Sequence, residues 1–358
     1  MTKQDAAARA LASEHKNAPA SGEVGQQKVT NLWVDALYRL TRNRAAVLGL
    51  VLIVLLVLMS TFAPQVAPMH YTAGDSTHNN SVPLWLAKLM PGNMETYAQI
   101  NNLYVLGSDY LGRDLLSRVI YGTRVSLPVG FIGAITALLV GLVYGSLSGY
   151  YGGKVDNIMM RIVDIMYAFP TMLLIILMMA FFKSSFGGVA QPGSLAFEFN
   201  RINRIVDRFL GLDSGGMLFI FMGIGLTAWM GIARLARGQI LSLKEKEFVL
   251  ASRMLGARDG RIIWRHILPN IIGPILVSVT LAIPGYISTE VFLSFIGLGV
   301  DPPVPSWGSM ISEGAKTLRS YPHHVLLPAL FLAITMFAFN FLGDGLRDAL
   351  DPRMRGTK

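Results

Sequence analysis

The sequence predicts an all-α polytopic membrane protein, and three observations carry that prediction. Of its 358 residues, 52% are hydrophobic and only 15% are charged, with a mean hydropathy of +0.47. A soluble domain usually carries about 25% charged residues, so this chain lacks the charge to present its whole surface to water. The apolar residues also fall in long uncharged blocks separated by short charged ones, and a membrane-crossing helix needs about 20 mostly apolar residues in a row. Cysteine is absent, which excludes disulfides, thiolate zinc sites, iron–sulfur clusters and cysteine nucleophiles.

Six blocks meet the length for a span: 45–62, 125–149, 162–182, 217–233, 271–297 and 325–343. Ahead of them, residues 1–31 show no apolar period and are expected to be a disordered tail. Residues 32–44 place Leu32, Trp33, Ala36, Leu37 and Leu40 at helical spacing and read as an amphipathic helix at the membrane surface. The region before the first span is too long for a secretory signal, so that span is expected to remain uncleaved. Residues 64–102 read as a loop with a short helix near 84–90. Residues 106–121 read as an amphipathic helix along the outer interface, its polar side carrying Asp109/Arg113 and Asp114/Arg118 as ion pairs one turn apart.

The second span carries Gly141, Gly145 and Gly149 four residues apart, a groove that admits a second helix closely. The third holds Asp164 and Pro170. An insert, 183–216, interleaves Arg201, Arg204 and Arg208 with Ile202, Ile205 and Phe209 and predicts a small external amphipathic helix. The fifth span contains Pro274, Pro284 and Glu290, and the sixth contains Pro328 and ends beside Asp344. Prolines in spans are either static kinks or functional breaks. Between these two spans, 301–308 predicts a proline-stiffened external turn with Trp307 at the membrane–water interface.

An even number of spans puts both termini on one side. The segments on that side hold 21 basic and 10 acidic residues; those on the other hold 10 and 9. Basic residues accumulate on the cytoplasmic side, so both termini are expected there, and the formal net charge of +9 is a topological signal, with no call for nucleic acid. On the same side, 241–255 predicts a helix with Lys244, Phe248, Ala251 and Leu255 on one stripe. Gly256 fits the position that ends it. Asp259 is placed to cap a second helix, 260–266, that stops before Leu268-Pro269. Such a helix–turn–helix exposes Phe248, Met254, Leu255 and Trp264 either to lipid or to a partner protein.

Here the sequence resembles a family. Ala251-Ser-Arg-Met-Leu-Gly256, nine residues, then His266-Ile-Leu-Pro269 resembles the EAA loop of ATP-binding-cassette (ABC) importer permeases, E-A-A-x3-G-x9-I-x-L-P. Leu250 stands at the acidic position, Ser252 at the second alanine and His266 at the isoleucine. Leu106-Gly-Ser-Asp109 with Gly112-Arg-Asp114, Gly149-Tyr-Tyr-Gly-Gly with Asp156, Phe292-Leu-Ser-Phe-Ile-Gly-Leu-Gly299 and Gly343-Asp-Gly-Leu-Arg-Asp348 are similar to segments of the second, or C, permease subunit of the dipeptide/oligopeptide/nickel subfamily.

The resemblance implies a type I ABC importer permease with six transmembrane helices, cytoplasmic termini and a cytoplasmic coupling-helix (EAA) loop. It implies a homologous permease subunit as partner, two cytoplasmic ABC ATPases and an extracytoplasmic substrate-binding protein, in a bacterial or archaeal inner membrane. Phe248, Ala251, Ser252, Leu255, Gly256, Ala257, His266 and Pro269 would form the ATPase-coupling site. The chain is then expected to divide into the tail 1–31, the interfacial helix 32–44, the first span and external loop 45–124, the core 125–345 (insert 183–216, coupling loop 237–269) and the tail 346–358. Gly153-Lys154 is followed by Val155, without the phosphate-loop spacing. ATP and magnesium are therefore expected on the partner ATPases and no cofactor on this chain.

A charge inside the bilayer is a functional-site hypothesis by default. Asp164 is expected to pair locally with Arg161, and Asp344 with Arg347 nearby. Glu290 lies deeper and is the candidate for the pathway wall, or for pairing with a partner subunit. The six histidines show no metal-site spacing, and adjacent His323-His324 read as a polar pair at an interface. No catalytic constellation stands out, so the chain is not expected to be an enzyme. Peptides are the leading substrate class; nickel chelates, oligosaccharides and a stand-alone secondary transporter remain as alternatives.

Overall fold

The structure, a computed structural model, describes residues 32–90, 94–186, 191–212 and 216–351. The tail 1–31, parts of the insert 183–216 and the tail from residue 352 lie outside the described residues. The described chain is helical, without strands beyond isolated bridges.

Helix α1 (Leu32–Arg42) and α2 (Arg44–Thr61) meet at Asn43, whose Oδ1 accepts from the amides of Ala45 (3.1 Å) and Ala46 (3.2 Å). That cap satisfies donors that helix starts leave bare. Short helices α3 (Ala63–Val66) and α4 (Leu84–Leu89) follow in the loop. Helix α5 then runs unbroken from Leu115 to Tyr151, with Pro128 inside it and a π-turn at Ala137–Gly141. The expected surface helix 106–121 is therefore replaced. Residues 106–113 are a loop with Gly107 and Gly112 at positive φ, Asp114 caps the rod by accepting from Ser117 N at 2.8 Å, and 115–121 is its first stretch.

Helices α6 (Gly153–Ala168) and α7 (Thr171–Phe186) meet at a bend of 85°. The third span, expected as one stretch, is broken because the residue before a proline is driven out of helical conformation; Phe169 sits at φ −82°, ψ 137°. Pro128, Pro274, Pro284 and Pro328 stay inside continuous helices, so of the prolines noted in the sequence only Pro170 breaks one. Helix α8 (Leu195–Phe209) forms in the insert, capped by Ser194. Its Asn203 and buried Asp207 accept from the first amides of α9 (Met217–Leu243).

The predicted helix 241–255 is divided. Helix α9 ends at Leu243, and α10 (Glu247–Met254) starts after the turn at 244–246, where Lys244 Nζ donates to the Gly149 carbonyl at 3.2 Å. Helix α11 (Asp259–Phe295) is one rod with a π-turn at Ile263–Ile267, so the helix expected over 260–266 does not stop before Pro269 but continues into the next apolar stretch. Proline is tolerated because the wider turn already displaces the hydrogen-bond ladder. Helices α12 (Trp307–Ala315) and α13 (His323–Leu350) complete the chain. Among the described residues, five helices are long and apolar enough to cross a membrane, or six if the α6–α7 pair is one span.

The core joins α2, α5, α9, α11 and α13 through Ile53, Leu127, Ala236, Ile240, Ile271, Ile283 and Phe339. The glycine ladder does what its spacing predicts. A Cβ on Gly141 would stand 2.7 Å from the Trp229 carbonyl, and one on Gly149 would stand 2.9 Å from the Arg237 carbonyl, so α5 and α9 cross backbone against backbone.

Candidate functional site

The α10–α11 elbow gathers the residues singled out in the sequence. Val249 turns inward, buried in a cluster with Tyr150, Ile240 and Ile262. Phe248, Ala251, Ser252 and Leu255 share another face. Helix α10 ends in a Schellman motif: Gly256 N donates to the Arg253 carbonyl (3.0 Å) and Ala257 N to the Ser252 carbonyl (3.1 Å). Gly256 has φ +77°, which an L side chain rarely adopts, yet a Cβ there would meet nothing within 4 Å. Glycine is required by the backbone here, not by crowding. Ala257 packs against the core as the chain turns back.

Beyond that turn the surface is apolar and uncovered. Met254 is 85% exposed, Leu255 88% and Trp264 72%, with Phe248 and Leu250 also exposed. Large apolar patches of this kind mark protein or membrane contacts. His266 and Pro269 lie further along, in and after the π-turn, and Asn270 Nδ2 donates to the His266 carbonyl at 2.7 Å. They stand on the root of the elbow, not on its tip.

Asp259 does not cap the second helix as expected; its Oδ1 accepts the Tyr150 hydroxyl at 2.6 Å. Arg253 Nη2 donates to the same hydroxyl oxygen at 3.4 Å. Close by, Arg237 Nη2 donates to Asp156 Oδ2 at 2.6 Å, joining α9 to α6. Asp164 pairs with Arg234 of α9 at 2.6 Å and not with Arg161. The neighbouring helix supplies a guanidinium that also lies over the Tyr167 ring.

At the opposite end of the bundle the structure assembles a cluster that sequence reasoning missed. Arg118, 2% exposed, donates through Nη1 to Asp109 and, at 2.8 Å, to Glu313 of α12. Arg113 Nε donates to Asp109 at 2.7 Å, and Asp109 also accepts from the amides of Leu111 (2.8 Å) and Arg113 (3.0 Å). Burial pushes the Asp109 carboxyl up, but the Arg118 and Arg113 guanidinia outweigh it and hold it below the ordinary carboxylate value. Asp109/Arg113 pair as expected, though from a loop; Asp114 caps α5 instead of pairing with Arg118. The signal available was the density of charge in 109–118, which was assigned to a wet face.

Two further expectations are corrected here. His324 is buried, with Nε2 on the Ser108 carbonyl (3.0 Å) and Nδ1 on Thr317 Oγ1 (3.2 Å), and His323 is buried beside it. Trp307 is fully buried under Gly122 and donates from Nε1 to the Val119 carbonyl at 3.2 Å. Trp307 thus locks α12 onto α5 and His324 ties α13 to the loop ahead of α5, instead of facing an interface. Glu290 is buried completely, its oxygens accepting from Ser126 (2.8 Å) and Ser294 (2.7 Å). In this conformation it faces no open surface. Among the described residues no group of three or more His, Cys, Asp or Glu is placed to hold a metal ion.

Residues 137–356 match the family model described as binding-protein-dependent transport system inner membrane component, and 31–83 match that of the N-terminal TM domain of oligopeptide transport permease C. The oligopeptide transport system permease protein OppC of Bacillus subtilis is 39% identical over 342 residues, 94% of this chain and 96% of that protein. The dipeptide transport system permease protein DppC of the same organism is 37% identical over 322 residues, 90% of this chain and 86% of that one. A solved structure of the MetNI methionine ABC transporter in inward-facing conformations matches with a TM-score of 0.46 and 18% identity, covering 65% of this chain and 96% of that one.

Proposed function

The chain belongs to the family of binding-protein-dependent transport system inner membrane components, and from that premise we propose that it is a transmembrane permease subunit of an ABC importer of di- and oligopeptides. It forms half of the translocation pathway with a homologous permease. Two cytoplasmic ATPases supply ATP hydrolysis, with ATP and magnesium bound on them, and an extracytoplasmic binding protein delivers the peptide. The peptide assignment rests on relatives at 37–39% identity over nine-tenths or more of the chain.

The observation that carries the coupling role is the apolar tip of the elbow, Phe248, Met254, Leu255 and Trp264, which stands exposed, with no described residue covering it. A groove on one of the two ATPases would take that tip, the other ATPase docking on the sister permease, and Val249 and Ile262 tie the tip to the spans behind it. The basic excess on the elbow's side of the bundle supports its facing the cytoplasm with both termini. Movement of the docked ATPases would then rock the spans as rigid bodies.

The test is copurification of the tagged chain with its sister permease and ATPases. Leu255→Asp and Trp264→Asp should each release one of the two ATPases, the one docked on this chain, while the permease pair stays intact. Retention of both ATPases by a Leu255→Asp, Trp264→Asp double variant would refute the docking role.

A further inference from the structure

We propose that Tyr150 is the positioning residue that makes the end of α5 follow the α10–α11 elbow, so that movement of the elbow becomes movement of the pathway. The proposal rests on the reading that the elbow docks an ATPase. Tyr150 lies in the last turn of α5, which ends at Tyr151 before the chain reverses over Gly152 and Gly153, both at positive φ. Its ring is buried against the elbow's inner face with Val249 and Ile262. Its hydroxyl donates to Asp259, the first residue of α11, and accepts from Arg253 of α10. Among the described residues, both side-chain hydrogen bonds from residues 247–269 to another element meet on this one oxygen.

That convergence has a mechanical consequence. Apolar contacts such as Val249 on Ile240 are non-directional and permit sliding. A hydrogen bond to a carboxylate is short and directional, so it resists displacement of α11 relative to α5. Helix α5 crosses α9 backbone to backbone at Gly141 and Gly149, and Asp156 just beyond its end is held by Arg237 of α9. A pull on Tyr150 therefore moves α5 and α9 together. The phenylalanine variant keeps the ring and its packing and deletes only the directional link.

The experiment uses the complete transporter in proteoliposomes with its binding protein, comparing wild type, Tyr150→Phe, Asp259→Ala, Asp259→Glu and the Tyr150→Phe, Asp259→Ala double variant. The readouts are the ATPase retained per permease and the uptake of a labelled mixed-sequence tetrapeptide pool per ATP hydrolysed. ATPase retention should match wild type throughout, while uptake per ATP falls about tenfold in Tyr150→Phe and Asp259→Ala. The double variant should lose no more than the worse single, and Asp259→Glu should recover most of the loss. Uptake per ATP unchanged in Tyr150→Phe, losses that multiply in the double variant, or release of ATPase by Tyr150→Phe would each overturn the proposal. A wild-type complex that retains no ATPase would instead overturn the docking reading beneath it, and that is read before any variant is compared.

Discussion

Replacing Arg118 by methionine tests whether the buried charge cluster holds the loop 75–114 onto the bundle. Arg118 is 2% exposed, donates to Asp109 and reaches Glu313 across 195 residues of sequence. Methionine keeps much of the stem's volume and removes the guanidinium. Breaking a buried ion pair by removing one partner costs about 3–5 kcal/mol. Asp109 keeps Arg113 Nε at 2.7 Å and two backbone amides, so the lower end applies. A cost of about 3 kcal/mol raises the opening constant of the loop about 100-fold. The assay is native-state hydrogen exchange of the purified chain, read at the amides of Ser108 and Asp109, which donate to Ser81 O (2.8 Å) and Arg113 O (2.9 Å). Those amides should exchange about 100-fold faster while amides within α9 stay as in wild type, and Arg118→Lys should fall between. Exchange within about twofold of wild type would refute the idea that the cluster holds the loop.

The same cluster predicts a pH dependence. The folded Asp109 carboxyl lies below its ordinary value of 3.8, so its contribution to stability is complete above that value and is lost as pH falls through the folded one; loop exchange should accelerate there, with the added acceleration blunted in Asp109→Asn. At the α5–α9 crossing, Gly141→Ala must part the helices, because its Cβ would sit 2.7 Å from the Trp229 carbonyl, and should lower thermal stability by about 1–3 kcal/mol. Gly238→Ala on exposed α9, with nothing within 4 Å of its Cβ, should instead stabilise by about 0.5–1 kcal/mol; the opposite order in thermal denaturation would refute the crossing geometry. Glu290→Gln should assemble and transport normally, since its amide can meet Ser126 and Ser294, whereas Glu290→Leu should cost about 1–3 kcal/mol by leaving the two hydroxyls without their partner. Normal assembly of Glu290→Gln with uptake abolished would return Glu290 to the pathway wall.

Much of the architecture was legible because it follows from local properties of the chain. An apolar block long enough to span a bilayer has to be helical there, since hydrocarbon offers the backbone no other hydrogen-bond partner. The glycine ladder at 141, 145 and 149, the turn at Gly256 and the short helix near Leu84 likewise depend only on spacing and on residues within a turn of one another. Boundaries were less legible. The start of α5 at Leu115 instead of Leu106 was decided by Gly107 and Gly112 at positive φ, and the break at Phe169-Pro170 could not be told from sequence because Pro128 and Pro284 carry the same local restriction and stay inside continuous helices.

The chain by itself determined that the long apolar blocks are helices, that the second span offers a close-packing glycine face and that the elbow is apolar, because length, period and glycine spacing act within one helix, whereas the choice of α9 as partner came from the fold. Only the tertiary structure decided where the charges and rings go. Periodicity marks Arg118, Asp109 and Asp164 as polar positions but is silent on whether a polar face meets water or another polar side chain. In the fold Arg118 turns inward to Glu313, Asp164 reaches Arg234 instead of Arg161, and Trp307 is buried under Gly122. Tyr150 is the sharpest case. Its sequence neighbourhood shows only the end of a helix, and its place between Arg253 and Asp259 exists because the elbow folds back onto that end.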